Sequence, residues 1–556
     1  MNAIQSLIGT ISAAPGRIGR PAIFALSALC ACAGTEEVAQ PLGGCPPEYQ
    51  GVAGNPEDLV AEIPPSCAFE CTTDCPEPET PYDCPALRAW SSFPHAKECG
   101  CFDALPPAVT PGTCTASKPG GAALRAAGPQ GNGAWVLPDG HLIKPAGVYA
   151  PLGEKGLEGT FPMSLLRVPG TSLLLSSDGG ILDNALRLLD AEALAAGTPP
   201  TAAFVPFAAP RSLFHGLAWR APATALASGG GDGFVYAFTV DMEKRSVKRD
   251  AGLDIDLGGP TGSSYGPARW YSGPLAVSGD GARLLVGPSV SAGHIQMLSL
   301  EEESWGEMRG KIAVDAESVF EIALDPFDKQ GVTFYATLWD AAELVEIDAD
   351  AKEVTRTLEV GKNPEGLAFL GPELMVVASA DEDRLTVIDR TSWQEKARLE
   401  LAGEGPLYGH GPTWLAFDAA RARLYATLSG VNAVAAFDVA GAGADATIVP
   451  AGRIPTAWWP TALSVQDDGS LVVLAGKGTG SGADSGTYSW SEGPITELMH
   501  GGVQYVPAWS LLDLAGMTEL AEGARQLART PGYPEVSCAG ESYDFPVPRS
   551  PADGPS

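Results

Sequence analysis

Glu365-Gly-Leu-Ala-Phe369, then Met375-Val-Val-Ala-Ser379, then Leu385-Thr-Val-Ile-Asp389 follow one another in the middle of the chain. Each is a short apolar run bounded by polar or turn residues, which is how a strand buried on both faces reads. The same triplet stands on either side. Upstream it is Glu321-Ile-Ala-Leu-Asp325, Phe334-Tyr-Ala-Thr-Leu338 and Leu344-Val-Glu-Ile-Asp348. Downstream it is Thr413-Trp-Leu-Ala-Phe417, Leu424-Tyr-Ala-Thr-Leu428 and Val434-Ala-Ala-Phe-Asp438. Working outward, seven first runs appear, starting at Ser164, His215, Pro274, Glu321, Glu365, Thr413 and Thr461. They lie roughly 45 to 60 residues apart, about the chain that a four-stranded sheet needs, and repeats of this length made of short strands indicate a β-propeller. The expected fold class is all-β, a seven-bladed β-propeller preceded by a cysteine-rich, disulfide-stapled segment. The outermost strand of each blade should be polar, and Glu353-Val-Thr-Arg-Thr-Leu-Glu359 fits.

Composition narrows the partners. The chain has 556 residues, with 35 Lys and Arg against 67 Asp and Glu, a net charge of −32. Such a surface repels phosphate backbones and anionic lipid, which argues against nucleic-acid binding. The 67 Gly and 48 Pro suit many tight turns between short strands.

Arg17 and Arg20 precede the apolar run Pro21–Gly34, too short for a membrane span and of the length of a secretory core. Its end, Leu29-Cys-Ala-Cys32, resembles the bacterial lipobox, in which the cysteine is diacylated after cleavage. The resemblance implies lipidation of Cys32 and anchoring to the outer membrane, with the body on the periplasmic or cell-surface side. A plain cleaved signal is the alternative.

Cysteine use divides the mature chain. Cys45, Cys67, Cys71, Cys75, Cys84, Cys99, Cys101 and Cys114 crowd one Pro-rich stretch, none follows until Cys538, and the repeats contain none. In an exported chain this density reads as a disulfide framework for a segment with too few apolar residues to fold unaided. Zinc is the rival, but the paired C-x2-C units of zinc ribbons are absent. Cys538 is either free or paired back to this segment. The expected layout is a signal at 1–31, the stapled stalk at 32–125, the propeller at 126–515 and an extension at 516–556, Pro-rich and disordered at its end.

Aligning the seven starts places His215, Glu321 and Glu365 at one ring of positions facing a central tunnel. Two carboxylates and an imidazole suit a divalent cation such as calcium, or an acid–base pair; solvated turn residues are the alternative. His410, in the glycine-rich stretch Tyr408–Thr413, with Trp414 and Trp459, marks a candidate ligand rim; tryptophans between blades also serve as core. Ala475-Gly-Lys-Gly-Thr-Gly-Ser-Gly482 lacks the GK[ST] of a phosphate-binding loop and reads as a hairpin loop. No H-E-x-x-H, G-x-S-x-G or C-x-x-C-H motif occurs.

Asn363-Pro-Glu-Gly-Leu-Ala-Phe369 with Leu385-Thr-Val-Ile-Asp389, and Trp459-Pro-Thr-Ala-Leu-Ser-Val-Gln-Asp-Asp-Gly-Ser-Leu-Val-Val-Leu474, resemble the YVTN family of bacterial propellers, itself similar to lactonase-type propellers. The resemblance covers roughly residues 130 to 515 and implies a divalent cation in the tunnel in some branches. The Asn and Asp partners usual there are not clearly placed here. Trp459-Pro-Thr-Ala462, Asp468-Gly469 and Ala475–Gly480 also look like propellers that precede a metal-dependent phosphoesterase module, here followed only by the Pro-rich Phe545–Ser556. The expected function is an exported, lipid-anchored scaffold that binds a protein, peptide or glycan. The alternatives are a lactonase-like hydrolase and the propeller half of a truncated phosphoesterase. The residues favour binding over catalysis.

Overall fold

A computed structural model describes residues 114–116, most of 128–527 and 536–538. The signal, Cys32, the cysteines from Cys45 to Cys101 and the Pro-rich end lie outside the described residues. The described part is mostly β-sheet, in many four-stranded antiparallel sheets with few helices, a layout consistent with a β-propeller.

Each repeat found in the sequence folds into its own antiparallel meander, numbered here I to VII in chain order. Sheet I is Pro162–Arg167, Leu173–Asp178, Asn184–Asp190 and Thr201–Phe207, in that spatial order. The first strands of sheets II to VII are Leu217–Arg220, Ser272–Val277, Val319–Leu324, Pro364–Phe369, Pro412–Asp418 and Trp458–Val465. All but one of the seven aligned positions lie within these strands; His215 sits two residues before its own. Sheet VII has three strands from its own repeat and takes its fourth, Val148–Pro151, from chain that precedes sheet I. The sequence pattern does not show this strand. It is four residues long and nowhere fully buried.

Burial follows position in the sheet. Leu173–Asp178, Asn184–Asp190 and Leu374–Ser379 are buried at every residue, which explains their unbroken apolar runs. The outer strand Glu353–Glu359 alternates exposed and half-buried residues, as its polar sequence requires. The core is divided among the gaps between sheets. One apolar cluster joins sheets I and II, and others join II and III, III and IV, IV and V, V and VI, and VI and VII. A further cluster, with Leu165 and Leu174 from sheet I and Val472 and Leu474 from sheet VII, joins the last sheet to the first. The first strands touch in the same cyclic order, and Trp458–Val465 touches Pro162–Arg167.

Two buried ion pairs serve different sheets. Arg187 and Asp178, both without exposed surface, form an ion pair within sheet I, and Asp178 also accepts the Phe161 backbone N–H at 2.6 Å. Arg390 of sheet V reaches sheet IV. It pairs with Asp325, donates to the Tyr335 hydroxyl at 3.1 Å, and lies over the Phe327, Tyr335 and Phe369 rings. After sheet VII the helix Leu514–Leu527 packs Leu514 and Met517 into the cluster between sheets VI and VII.

Cys114–Ala116 and Val536–Cys538 form a separate two-stranded antiparallel sheet in a second compact unit.

Candidate functional site

The ring of aligned residues begins with an irregularity that recurs from sheet to sheet. The register between first and second strands shifts between Pro162 and Ser164, Ser272 and Leu275, Val319 and Glu321, Pro364 and Leu367, and Pro412 and Leu415. Such bulges interrupt the ladder and re-aim a side chain. Here they accompany side-chain bonds from Ser164, Glu321 and Thr461 to backbone groups across the gap to the next sheet.

Ser164 donates its hydroxyl to the His215 carbonyl, from sheet I to the chain leading into sheet II. Thr461 donates to the Pro162 carbonyl at 2.8 Å, from sheet VII back to sheet I. Glu321 does the reverse chemistry between sheets IV and V: its Oε2 accepts the Leu367 N–H at 2.7 Å. Thr337 adds a hydroxyl to the Glu365 carbonyl at 2.9 Å. Elsewhere the strands approach too closely for any side chain. A Cβ on Gly216 would lie 2.1 Å from the Gly273 carbonyl oxygen, and one on Gly366 would lie 2.6 Å from that of Thr413.

The three residues expected to hold a cation have separate surroundings. His215 is buried against Phe214, edge-on at 4.5 Å, and Phe320 at 5.0 Å. Burial drives its pKa down to about 3, so the imidazole is neutral, and its Nε2 has no hydrogen-bond partner in the structure. Glu365 is buried, and the Trp339 indole donates to its Oε1 at 3.4 Å. Burial raises both Glu321 and Glu365 from an ordinary 4.5 to about 7. Among the described residues no three His, Cys, Asp or Glu side chains are grouped so that they could hold a metal ion. The ring brings the carboxylates to adjacent sheets but leaves each committed to protein partners.

The expected ligand rim resolves into three different environments. His410 has no exposed surface. Its Nδ1 faces Asp383 Oδ2 at 3.4 Å and its Nε2 faces the Arg453 guanidinium at 3.3 Å. Arginine can only donate, so Nε2 accepts and the ring proton sits on Nδ1. Arg453 continues to Glu522 of the C-terminal helix at 2.5 Å, so the chain from Asp383 to Glu522 ties sheets V and VI to that helix. Trp414 packs against the clusters on both sides of sheet VII, and its backbone N–H donates to the Thr427 hydroxyl at 2.8 Å. Trp459 keeps a half-exposed ring. The Lys477 ammonium lies 3.9 Å from its ring centre and 4.9 Å from that of Trp458.

Lys477 was missed because its glycine-rich surroundings read as a loop. The strand instead runs on through Leu471–Gly478. The glycines serve close packing: a Cβ on Gly476 would lie 2.9 Å from the Phe161 ring, and one on Gly478 would lie 1.8 Å from the His500 carbonyl oxygen. Nearby, beside the borrowed strand of sheet VII, an open cleft of about 620 Å³ is lined by Trp135, Tyr149, Thr479 and His500 together with proline and glycine. Burial holds the Tyr149 phenol well above its ordinary pKa, so it is a neutral hydroxyl there.

No family model matches the chain, and no curated protein matches it. Among solved structures it is similar to hydrazine synthase from Kuenenia stuttgartiensis, at 16% identity and a TM-score of 0.45, covering 58% of this chain and 94% of that one. It is also similar to the WD40 repeats of RRP9, at 14% identity and a TM-score of 0.47, covering 66% of this chain and 99% of that one.

Proposed function

We propose that the chain is a seven-bladed β-propeller of the YVTN or lactonase-like kind, exported and lipid-anchored at Cys32, that acts as a binding scaffold for a protein, peptide or glycan. The observation that carries the scaffold reading is the use made of the ring. Ser164, Thr461, Glu321 and Glu365 are all engaged between sheets, where a catalytic or cation-binding ring would need them turned inward. What stays open to a partner is the cleft beside the closing strand. Its aromatic, proline and glycine lining offers flat apolar surface with few fixed polar groups, which suits extended peptides and sugar faces.

The purified chain should bind members of a peptide or glycan array, and Trp135→Ala should abolish that binding while the chain still folds, as its circular dichroism reads. Its melting should also be indifferent to chelator. A chain with stoichiometric divalent metal, chelator-sensitive melting and lactone hydrolysis lost in Glu365→Gln would replace the scaffold reading with the hydrolase. Mass spectrometry of the mature N-terminus tests the anchor separately: a diacylglyceryl modification on Cys32 is expected, and an unmodified terminal residue rejects it.

A further inference from the structure

The small second unit sets two cysteines opposite each other. Its two strands run antiparallel with Ala116 opposite Val536, Thr115 opposite Ser537, and Cys114 opposite Cys538. Directly opposed residues of an antiparallel pair have Cα atoms about 4.5–5.5 Å apart, within the Cα separations of about 4.4–6.8 Å that disulfides span. Of the cysteines after the lipobox, the structure sets only these two in register with each other among the described residues. Cys114 is the last cysteine of the dense N-terminal stretch, and Cys538 is the single cysteine beyond the repeats.

We propose that Cys114 and Cys538 form a disulfide that fastens the chain before the sheets to the chain after them. The bond forms by thiol–disulfide exchange with a disulfide-bearing oxidant. One thiolate attacks the oxidant's S–S bond, the second displaces the mixed disulfide, and the oxidant leaves as two thiols carrying the two electrons and two protons. The cross-link encloses all seven sheets in one covalent loop, and loops of this length lose the most unfolded-state freedom on closure. It also changes the count in the stalk. Cys45, Cys67, Cys71, Cys75, Cys84, Cys99 and Cys101 remain, an odd set, so one thiol there is left over unless Cys32 escapes lipidation.

The redox step in the cell rests on the export reading, so the test separates the two. The full-length chain is purified, reduced, and reoxidised in a glutathione redox buffer, then alkylated and digested without reductant. A peptide pair joined through Cys114 and Cys538 is expected, vanishing on reduction. An alkylated Cys538, or a Cys538 joined to any stalk cysteine other than Cys114, overturns the proposal. The mapping needs only the unaltered chain, so it does not depend on a variant folding. As a second measurement, Cys538→Ser should expose one additional alkylatable thiol, located at Cys114; a new thiol elsewhere overturns it. The same mapping on chain recovered from the exporting cell reports on compartment: the pair found in the purified chain but not there would count against export alone.

Discussion

Sheets VII, I and II and sheets IV, V and VI solve one problem with opposite chemistry. Both halves stitch first strands across the gap at the same repeat position. The first half uses hydroxyl donors, Ser164 and Thr461, onto carbonyls. The second uses Glu321 as an acceptor of a backbone N–H, with Glu365 buried beside it. Their buried ion pairs differ too. Arg187 and Asp178 close within sheet I, whereas Arg390 and Asp325 bridge sheets IV and V. A repeat position can therefore keep its role while its residue changes charge type, and only the carboxylate half of the ring acquires a dependence on pH near neutrality.

The largest break in this comparison comes from the ion pairs. Arg187→Met removes the ion-pair partner of Asp178, a carboxylate with no exposed surface, and should cost about 3–5 kcal/mol in chemical denaturation. Arg390→Met should cost less, since Asp325 keeps a little solvent contact, but it should also loosen the contact between sheets IV and V. Hydrogen exchange distinguishes them. Arg187→Met should raise exchange within Leu173–Asp190, and Arg390→Met on both sides of the gap between sheets. Equal costs with identical exchange patterns would erase the distinction between a pair inside a sheet and a pair between sheets.

The carboxylates give the next effect, and its sign follows from the raised pKa. Both groups sit near 7 in the fold against 4.5 when exposed, because burial penalises the charged form. The folded state therefore holds their protons more tightly than the unfolded chain. The stability this contributes is fully present below about pH 4.5 and is lost as pH rises through about 7. Glu321→Gln and Glu365→Gln keep the acceptor oxygen and remove the charge. Each should be near-neutral at pH 5 and stabilising by roughly 2 kcal/mol at pH 8, read by urea titration at the two values. His215 works in the other direction: neutral in the fold, it contributes above its ordinary pKa and loses that contribution as pH falls toward 3. It is common to parent and variants, so it drops out of the difference between them. A Gln variant that stabilises equally at pH 5 and pH 8 would mean that the carboxyls are not the titrating groups.

The sheets were legible and the stitches were not, for a physical reason. A strand buried on both faces must be apolar throughout, so Leu173–Asp178 or Leu374–Ser379 betray themselves by composition. Alignment of the repeats puts Glu321 and Glu365 inside their first strands and His215 two residues before its own. What each side chain bonds depends on the register shift in its own sheet and the backbone of the next, and neither leaves a trace in the residue itself. Val148–Pro151 was hidden by shortness and partial exposure, and Lys477 by glycines that pack tightly instead of flexing. The helix Leu514–Leu527 carries Gly516 inside it and only a narrow apolar face, so the repeat pattern ran out without announcing what came next. His410 looked like a rim residue because glycine flanks it, yet Gly409 and Gly411 donate their N–H groups to Asp383, which also holds the imidazole.

The smallest effect is also the cleanest control. Ser164→Ala and Thr461→Ala each remove one neutral donor and leave a carbonyl unsatisfied in a buried gap. Each should cost about 1 kcal/mol, the usual net value of such a bond. Neither hydroxyl titrates between pH 5 and 8, so the loss should be the same at both. The two should also add, because the carbonyls they serve, of His215 and Pro162, lie in different gaps: one joins sheets I and II, the other sheets VII and I. The Thr461 stitch lies in the gap that closes the ring, so Thr461→Ala should raise hydrogen exchange in Val148–Pro151 and Trp458–Val465 together, whereas Ser164→Ala should leave both protected. If instead the Ser164→Ala loss grew between pH 5 and pH 8 as the carboxylate effect does, the hydroxyl half of the ring would be coupled to the carboxylate half through the centre, and the two halves would be one titrating system.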